Sequence, residues 1–332
     1  MTTSLLLTNG YIHSVSEPYA NALHVENDVI AWLGADDTAQ QMVAATTTGG
    51  VETTDVQQRL ITAAFVDGFS RHSLTERDAR VMLSATQPSE DAFYYAPWHE
   101  EPAPHAVGMF VSAEALDHLE KIVSQLKPPT QLLIESTGLD DLERIITVLE
   151  HQSNTALMRS RHRIVLNHEL TAKHADKLLA VHASVTLVPE IVDGQPVFHA
   201  PTATLISQGV HVATGSGDWS GSMWDLLTAL IEHDDEAQRV STRAAFNTVT
   251  RDGVRVLPSK IAQANMTAGQ IAVGSPAHLN IWHADQLGVQ APNLRAAHWS
   301  TDKRAGTALL PILSSQEASP ELVGLVRNGQ VS

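Results

Sequence analysis

Apolar runs of strand length recur from residue 60 to about residue 217: LITAAFV (60–66), RVMLSA (80–85), AVGMFV (106–111), QLLIES (131–136), RIVLNH (163–168), SVTLVPE (184–190) and VHVATGS (210–216). Helical patterns fall between several of them. SAEALDHLEKIVSQL opens on Ser112 as an N-cap and puts Ala115 or Leu116, Leu119, Ile122, Val123 and Leu126 on one face. GLDDLERIITVLEHQ puts Leu142, Ile145, Ile146 and Leu149 on one stripe, and TAKHADKLLAVHA opens on Thr171 as a cap. Strands alternating with helices predict parallel βαβ units. Near-continuous apolar strands fit a sheet covered on both faces. The expected architecture is an α/β, TIM-like (β/α) barrel over residues 60–264. Seven strands are counted, one βα unit short of the eight that close such a barrel. Residues 86–105 hold four prolines and no period. They read as a loop over the mouth, with Phe93, Tyr94, Tyr95 and Trp98 as a lid or plug.

The two ends of the chain have a different rhythm. Asn9-Gly10 and Asn27-Asp28 each separate short apolar runs, as hairpin turns do. Residues 36–59 are polar and Thr-rich and read as a connector, with a further strand near 51–56. After residue 265, AGQIAVGSPAHLNIWHAD and ELVGLVRNGQVS return to short strands, with Asn328-Gly329 as a turn. A small composite β-sandwich from residues 1–59 and 265–332 is expected. After residue 217, GSMWDLLTALIEHD and EAQRVSTRAAFNTVTRDGVRVL read as helices.

Composition narrows the partners. The net charge is −16, which repels phosphate backbones and anionic lipid. Nucleic acid and membrane are therefore not expected partners, and a small-molecule ligand or substrate is; self-association is left open. There are no cysteines, so disulfides, thiolate nucleophiles and Cys-based metal sites are excluded. The N-terminus lacks a basic region and a long apolar run, so a signal peptide is not expected there, and no stretch approaches the roughly 18 apolar residues of a membrane span. A cytoplasmic protein is expected. The 17 histidines invite a metal reading. His118, His151, His174, His182 and His233 fall in helical patterns and read as surface or capping residues. His13, His24, His278 and His283 fall in β-rich segments away from any site.

The order of several words along the chain resembles the amidohydrolase superfamily, in its amidohydrolase 3-like branch of metal-dependent hydrolases. These are LLLTNGYIHSV at the start, LITAAFVDG before the first barrel strand, HRIVLNHE, GVHVATGSGDWS, and AGQIAVGSPAHLNIWHAD on the return to the sandwich. The resemblance implies hydrolysis of a C–N bond, amide or cyclic amide, in a small molecule. It also implies one or two divalent ions held by a His-x-His pair on the first strand, by histidines on the fifth and sixth, and by an aspartate on the eighth. Such an ion lowers the pKa of bound water.

Carried onto this chain, the ligand set is degenerate. The first-strand motif reads Asp67-Gly68-Phe69-Ser70-Arg71, so only the aspartate matches. The fifth-strand position holds Glu135 and the sixth fits His168. The eighth-strand aspartate falls at Gly217 or, with one inserted residue, at Asp218, which is the candidate catalytic group. Three readings stay open. Glu135, His168 and Asp218 hold one zinc, iron or manganese ion, with His72 one place out of register. Alternatively Arg71 pairs with Glu135 and Asp218 and no cofactor is needed, making Arg71, Glu135 and His168 binding residues. In the third reading all are structural, with Asp218 capping the helix that begins near Ser220 and Glu190 at a solvated strand end. Enzyme or not is correspondingly open. A divergent hydrolase and a non-catalytic pseudoenzyme binding a small ligand or protein partner are the alternatives.

Overall fold

The computed structural model describes residues 4–46, 49–71, 80–85, 92–99, 106–290, 299–300, 307–327 and 329–332. It divides into two compact units. One comprises residues 1–65, 241–243 and 267–332, and the other residues 66–240 and 244–266.

The first unit is built from both chain ends. Ser4–Thr8 lies between Ala22–Glu26, antiparallel, and Glu52–Asp55, parallel, with Val29–Gly34 at the edge. A five-stranded sheet joins Tyr11–Ile12, Leu60–Ala63, Leu279–His283, Glu321–Arg327 and Gln330–Val331. Leu5, Leu23, Val25 and Ile30 of the first sheet share a buried core with Ile12, Ile61, Leu279 and Val326 of the second. A third, three-stranded sheet centres on Leu287–Gln290.

Two local expectations change here. The Asn27-Asp28 turn does close a hairpin, with Glu26 opposite Val29 and Asn27 at φ 59°. Asn9-Gly10 does not: Ser4–Thr8 and Tyr11–Ile12 pair into different sheets. The turn, with Asn9 at φ 57°, carries the chain from one sheet to the other. Gly10 leaves room there: a Cβ would lie 2.9 Å from Val56 Cγ2, which would have to shift. Residues 36–46 are not a connector but a helix, Asp36–Thr46. Its buried stripe is only Ala39 and Val43, packed with Leu6 and Ala22, too narrow to read as a helix from pattern alone. Of the Asn328-Gly329 turn, Asn328 lies outside the described residues, and its flanks Arg327 and Gln330 are paired.

The second unit holds an eight-stranded sheet. In spatial order it runs Phe65–Ser70, Arg80–Ala85, Ala92–Pro97, Gly108–Val111, Gln131–Ser136, Arg163–Leu166, Ser184–Leu187 and Val212–Thr214, and every pairing described within it is parallel. The expectation of a missing βα unit is thus corrected: the eighth strand is Ala92–Pro97, inside the segment read as a mouth loop. Tyr94 and Tyr95 are buried strand residues rather than a lid. The described residues between Phe65–Ser70 and Gly108–Val111 contain no helix. Helices follow the later strands: Leu119–Gln125, Leu139–Glu150, Asn154–Ser160, Ala172–Ala180 and Thr202–Ser207. The predicted stripe Leu142, Ile145, Ile146 and Leu149 is buried.

The run at 60–66 is two strands, not one. Leu60–Ala63 belongs to the first unit, and the parallel sheet begins at Phe65. The sheet curls around one apolar cluster drawn from across its width: Phe69, Tyr95, Phe110, Leu133 and Val165, with Val188 packed against them. Its edge strands are not joined by a continuous ladder. One parallel bridge links Ser70 and Gly217, with Gly217 N donating to Phe69 O at 2.9 Å and Arg71 N to Gly217 O at 3.0 Å. Lower on the strand, Val66 N donates to Val249 O instead. The buried Asp67 carboxylate fills the gap. It accepts from Ser216 N at 2.8 Å, Ser216 Oγ at 2.6 Å and Phe69 N at 3.2 Å. Gly215 is needed at this seam, because a Cβ would lie 2.5 Å from Phe69 N.

Candidate functional site

The C-terminal ends of parallel strands collect groups that leave the ladder free to point at a common centre, which is where sites form in such sheets. Arg71 sits just past Phe65–Ser70, Glu135 near the end of Gln131–Ser136, and Asp218 just past Val212–Thr214. The structure brings these three together. The Arg71 guanidinium forms a salt bridge with Glu135, and its Nε lies 3.7 Å from Asp218 Oδ2. The guanidinium carbon stands 5.4 Å from the Phe69 ring centroid, and that ring stacks on Phe110 at 5.8 Å. The other Glu135 oxygen accepts from Ala113 N at 3.3 Å. Glu135 is mostly buried, whereas the Asp218 side chain is 65% exposed. Two carboxylates and one cation leave the cluster net negative.

His168 does not join them. Its Nε2 is 2.8 Å from Ser136 Oγ and its Nδ1 3.0 Å from Glu169 O, so both ring nitrogens are engaged locally. Asp218 is not a helix cap either. The helix Met223–Ile231 is capped by Ser222, whose hydroxyl accepts from Trp224 N, with Asp225 bonding back to Ser222 N. Glu190 is exposed and bonds His199 Nε2 at 2.8 Å. His72 lies outside the described residues.

These residues do not fit a divalent ion. Among the described residues no group of three or more His, Asp or Glu gathers as a metal-holding cluster. One candidate ligand is bound by a guanidinium, a second lies beside the same cation, and the third is tied to a hydroxyl and a carbonyl. A permanent cation at that point repels a second one.

A cavity of about 580 Å³ opens beside this cluster, lined by Trp98, His99, Phe110, Ser112, Glu114 and His118 among others. Phe110 is shared with the Phe69 stack, and Ala113, whose amide holds Glu135, sits between the lining residues Ser112 and Glu114. His118 stacks against Trp98 with centroids 5.0 Å apart. Sequence reasoning missed this wall because SAEALDH looked like an ordinary helix opening. Ala113–His118 is instead a 3-10 turn, which aims His118 differently from the following α-helix.

No family model matches the chain, and no curated protein matches it. Solved structures do. An adenosine deaminase from Xanthomonas campestris with bound zinc aligns at TM-score 0.63 and 12% identity, over 98% of this chain and 92% of that one. An uncharacterized metal-dependent hydrolase from Pyrococcus horikoshii aligns at 0.63 and 11%, over 90% and 100%. An N-isopropylammelide isopropylaminohydrolase from Burkholderia multivorans aligns at 0.57 and 12%, over 99% and 98%. The chain therefore shares the fold of these hydrolases. At such identities the likeness speaks for the fold alone. Among the described residues no helix is long and apolar enough to cross a membrane.

Proposed function

We propose that this protein is a TIM-like barrel of amidohydrolase type, with a small β-sandwich from its termini, that binds a small organic molecule at the barrel mouth without a metal cofactor. The observation that carries this reading is the salt bridge of Arg71 with Glu135, with Asp218 3.7 Å away. A guanidinium paired with carboxylates balances charge where the resemblance calls for an ion. Arg71, Glu135 and Asp218 form the polar floor, and His168 supports Glu135's strand through Ser136. The neighbouring cavity lies within the usual volume of ligand pockets and offers aromatic faces, two imidazoles and a carboxylate. A neutral or cationic ligand suits the excess of carboxylates.

The second reading is hydrolysis of a C–N bond. It is favoured by the deaminase and aminohydrolase among the structures of like fold. Asp218, exposed and beside Arg71, is then the group placed to take a proton.

Elemental analysis of protein purified from zinc-, iron- and manganese-supplemented growth separates the two. The binding reading expects no stoichiometric metal. One equivalent per chain, lost in His168→Ala, would overturn it.

A further inference from the structure

Arg163 is 0% exposed and faces the inside of the curled sheet, its guanidinium carbon 5.2 Å from the Tyr95 ring centroid. None of its three nitrogens donates a hydrogen bond. Ser184, its register partner on the next strand, and Thr186, two residues on and hence on the same face, are also buried, and neither hydroxyl is hydrogen-bonded. Three buried polar side chains on the same face of two neighbouring strands therefore have their donors unused. Nearby groups do not serve them. The Tyr95 hydroxyl donates to Gln131 Oε1 at 2.5 Å, and Gln131 Nε2 is taken by Arg161 O and Val256 O. The Asp67 carboxylate, which supports the Arg163 charge electrostatically, spends three hydrogen bonds on Ser216 and Phe69. Gly68 and Gly108 keep the space tight: a Cβ would lie 3.0 Å from Thr186 Cγ2 at the first and 2.7 Å from the Tyr95 ring at the second.

A ring face returns part of the cost of dehydrating a guanidinium, but it leaves the N–H groups unsatisfied. Buried cations are otherwise paired or bonded. We propose that the interior of the parallel sheet binds one small monovalent anion of chloride size, held by the Arg163 guanidinium and the hydroxyls of Ser184 and Thr186. A carboxylate-bearing metabolite is too large for a site sealed at 0% exposure on all three of Arg163, Thr186 and Tyr95. The site is structural, distinct from the mouth cluster, and independent of what binds there.

The test is thermal unfolding of the full chain in halide-free buffer, titrated with sodium chloride against sodium gluconate at matched ionic strength. A saturable rise of about 5 °C at a hundredfold excess over the midpoint is expected with chloride only. Arg163→Met should abolish the chloride dependence. Should that variant fail to fold, Ser184→Ala should raise the chloride midpoint about tenfold. A bromide-soaked crystal should show one anomalous peak within hydrogen-bonding reach of Arg163. Equal responses to chloride and gluconate, an unchanged response in Arg163→Met or Ser184→Ala, or water alone against Arg163 in the crystal would overturn the proposal.

Discussion

Two arginines of the parallel sheet lie over aromatic rings at nearly the same distance, Arg71 over Phe69 at 5.4 Å and Arg163 over Tyr95 at 5.2 Å. Their surroundings could hardly differ more. Arg71 is 38% exposed, salt-bridged to Glu135 and near Asp218. Arg163 is sealed, and no protein acceptor meets its nitrogens. At the mouth, water and carboxylates share the work of solvating a guanidinium, so the pair can form and break at little cost. Inside, the same group must be held by whatever the interior supplies. The burial pushes the Arg163 pKa down, with Tyr95 and Asp67 opposing. Strand ends of this sheet are therefore suited to exchangeable partners, and its interior to permanent ones.

The strongest way to break this contrast is to remove Asp67. It is buried, bonds both Ser216 and Phe69, and supports Arg163 from a distance. Asp67→Ala should cost about 3–5 kcal/mol in urea unfolding, because it orphans three donors and removes an opposite charge. A loss below about 1 kcal/mol would show that the seam does not depend on it.

Acid tests the interior next. Burial lowers His162 from the ordinary 6.5 to about 4, and its Nδ1 accepts from Leu132 N at 3.1 Å. His13 in the other unit is lowered to about 4 by burial, against its bond to Leu309 O. Both are neutral in the fold. Their contribution is complete above pH 6.5 and is lost as pH falls toward 4, by ~3 kcal/mol for each. Denaturant midpoints measured from pH 7 to 4 should fall accordingly, and His162→Gln should flatten the fall. A parallel curve in that variant would contradict the assignment.

At the mouth the effects shrink. Arg71→Met should cost about 1 kcal/mol, as half-exposed pairs do. If the guanidinium balances Glu135 and Asp218, millimolar Mn²⁺ should restore the melting temperature of this variant and leave the unmodified protein unchanged. Equal responses would remove Arg71 from that role. Smallest is Ser136→Ala, which unties His168. It should cost about 0.5–1 kcal/mol and leave the manganese response of Arg71→Met intact, as measured by the same melts.

Much of this was legible in the chain, for reasons that can be named. The βα alternation after residue 106 is read from period alone, since Leu142 and Ile145 or Ile164 and Leu166 have one face or two to bury. Ala92–Pro97 escaped because prolines at 88, 97, 102 and 104 make its surroundings look like a loop, and Pro97 only ends the strand. Asn9-Gly10 misled because a turn signal is local, while the choice of strand partner is not: Ser4–Thr8 finds Ala22–Glu26. Arg71, Glu135 and Asp218 could be placed at strand ends from register. The ring direction of His168, the turn that aims His118 and the three orphaned side chains around Arg163 depend on packing that no spacing encodes.

The seam between the first and last strands has a mechanical consequence. A peptide ladder shares a shearing load over many bonds at once. Here the load would fall on one bridge at Ser70 and Gly217 and one carboxylate at Asp67. Pulled along its first strand, the sheet should part at this clasp before any ladder yields. The opened form would be a still-paired sheet, free to close again around the same residue.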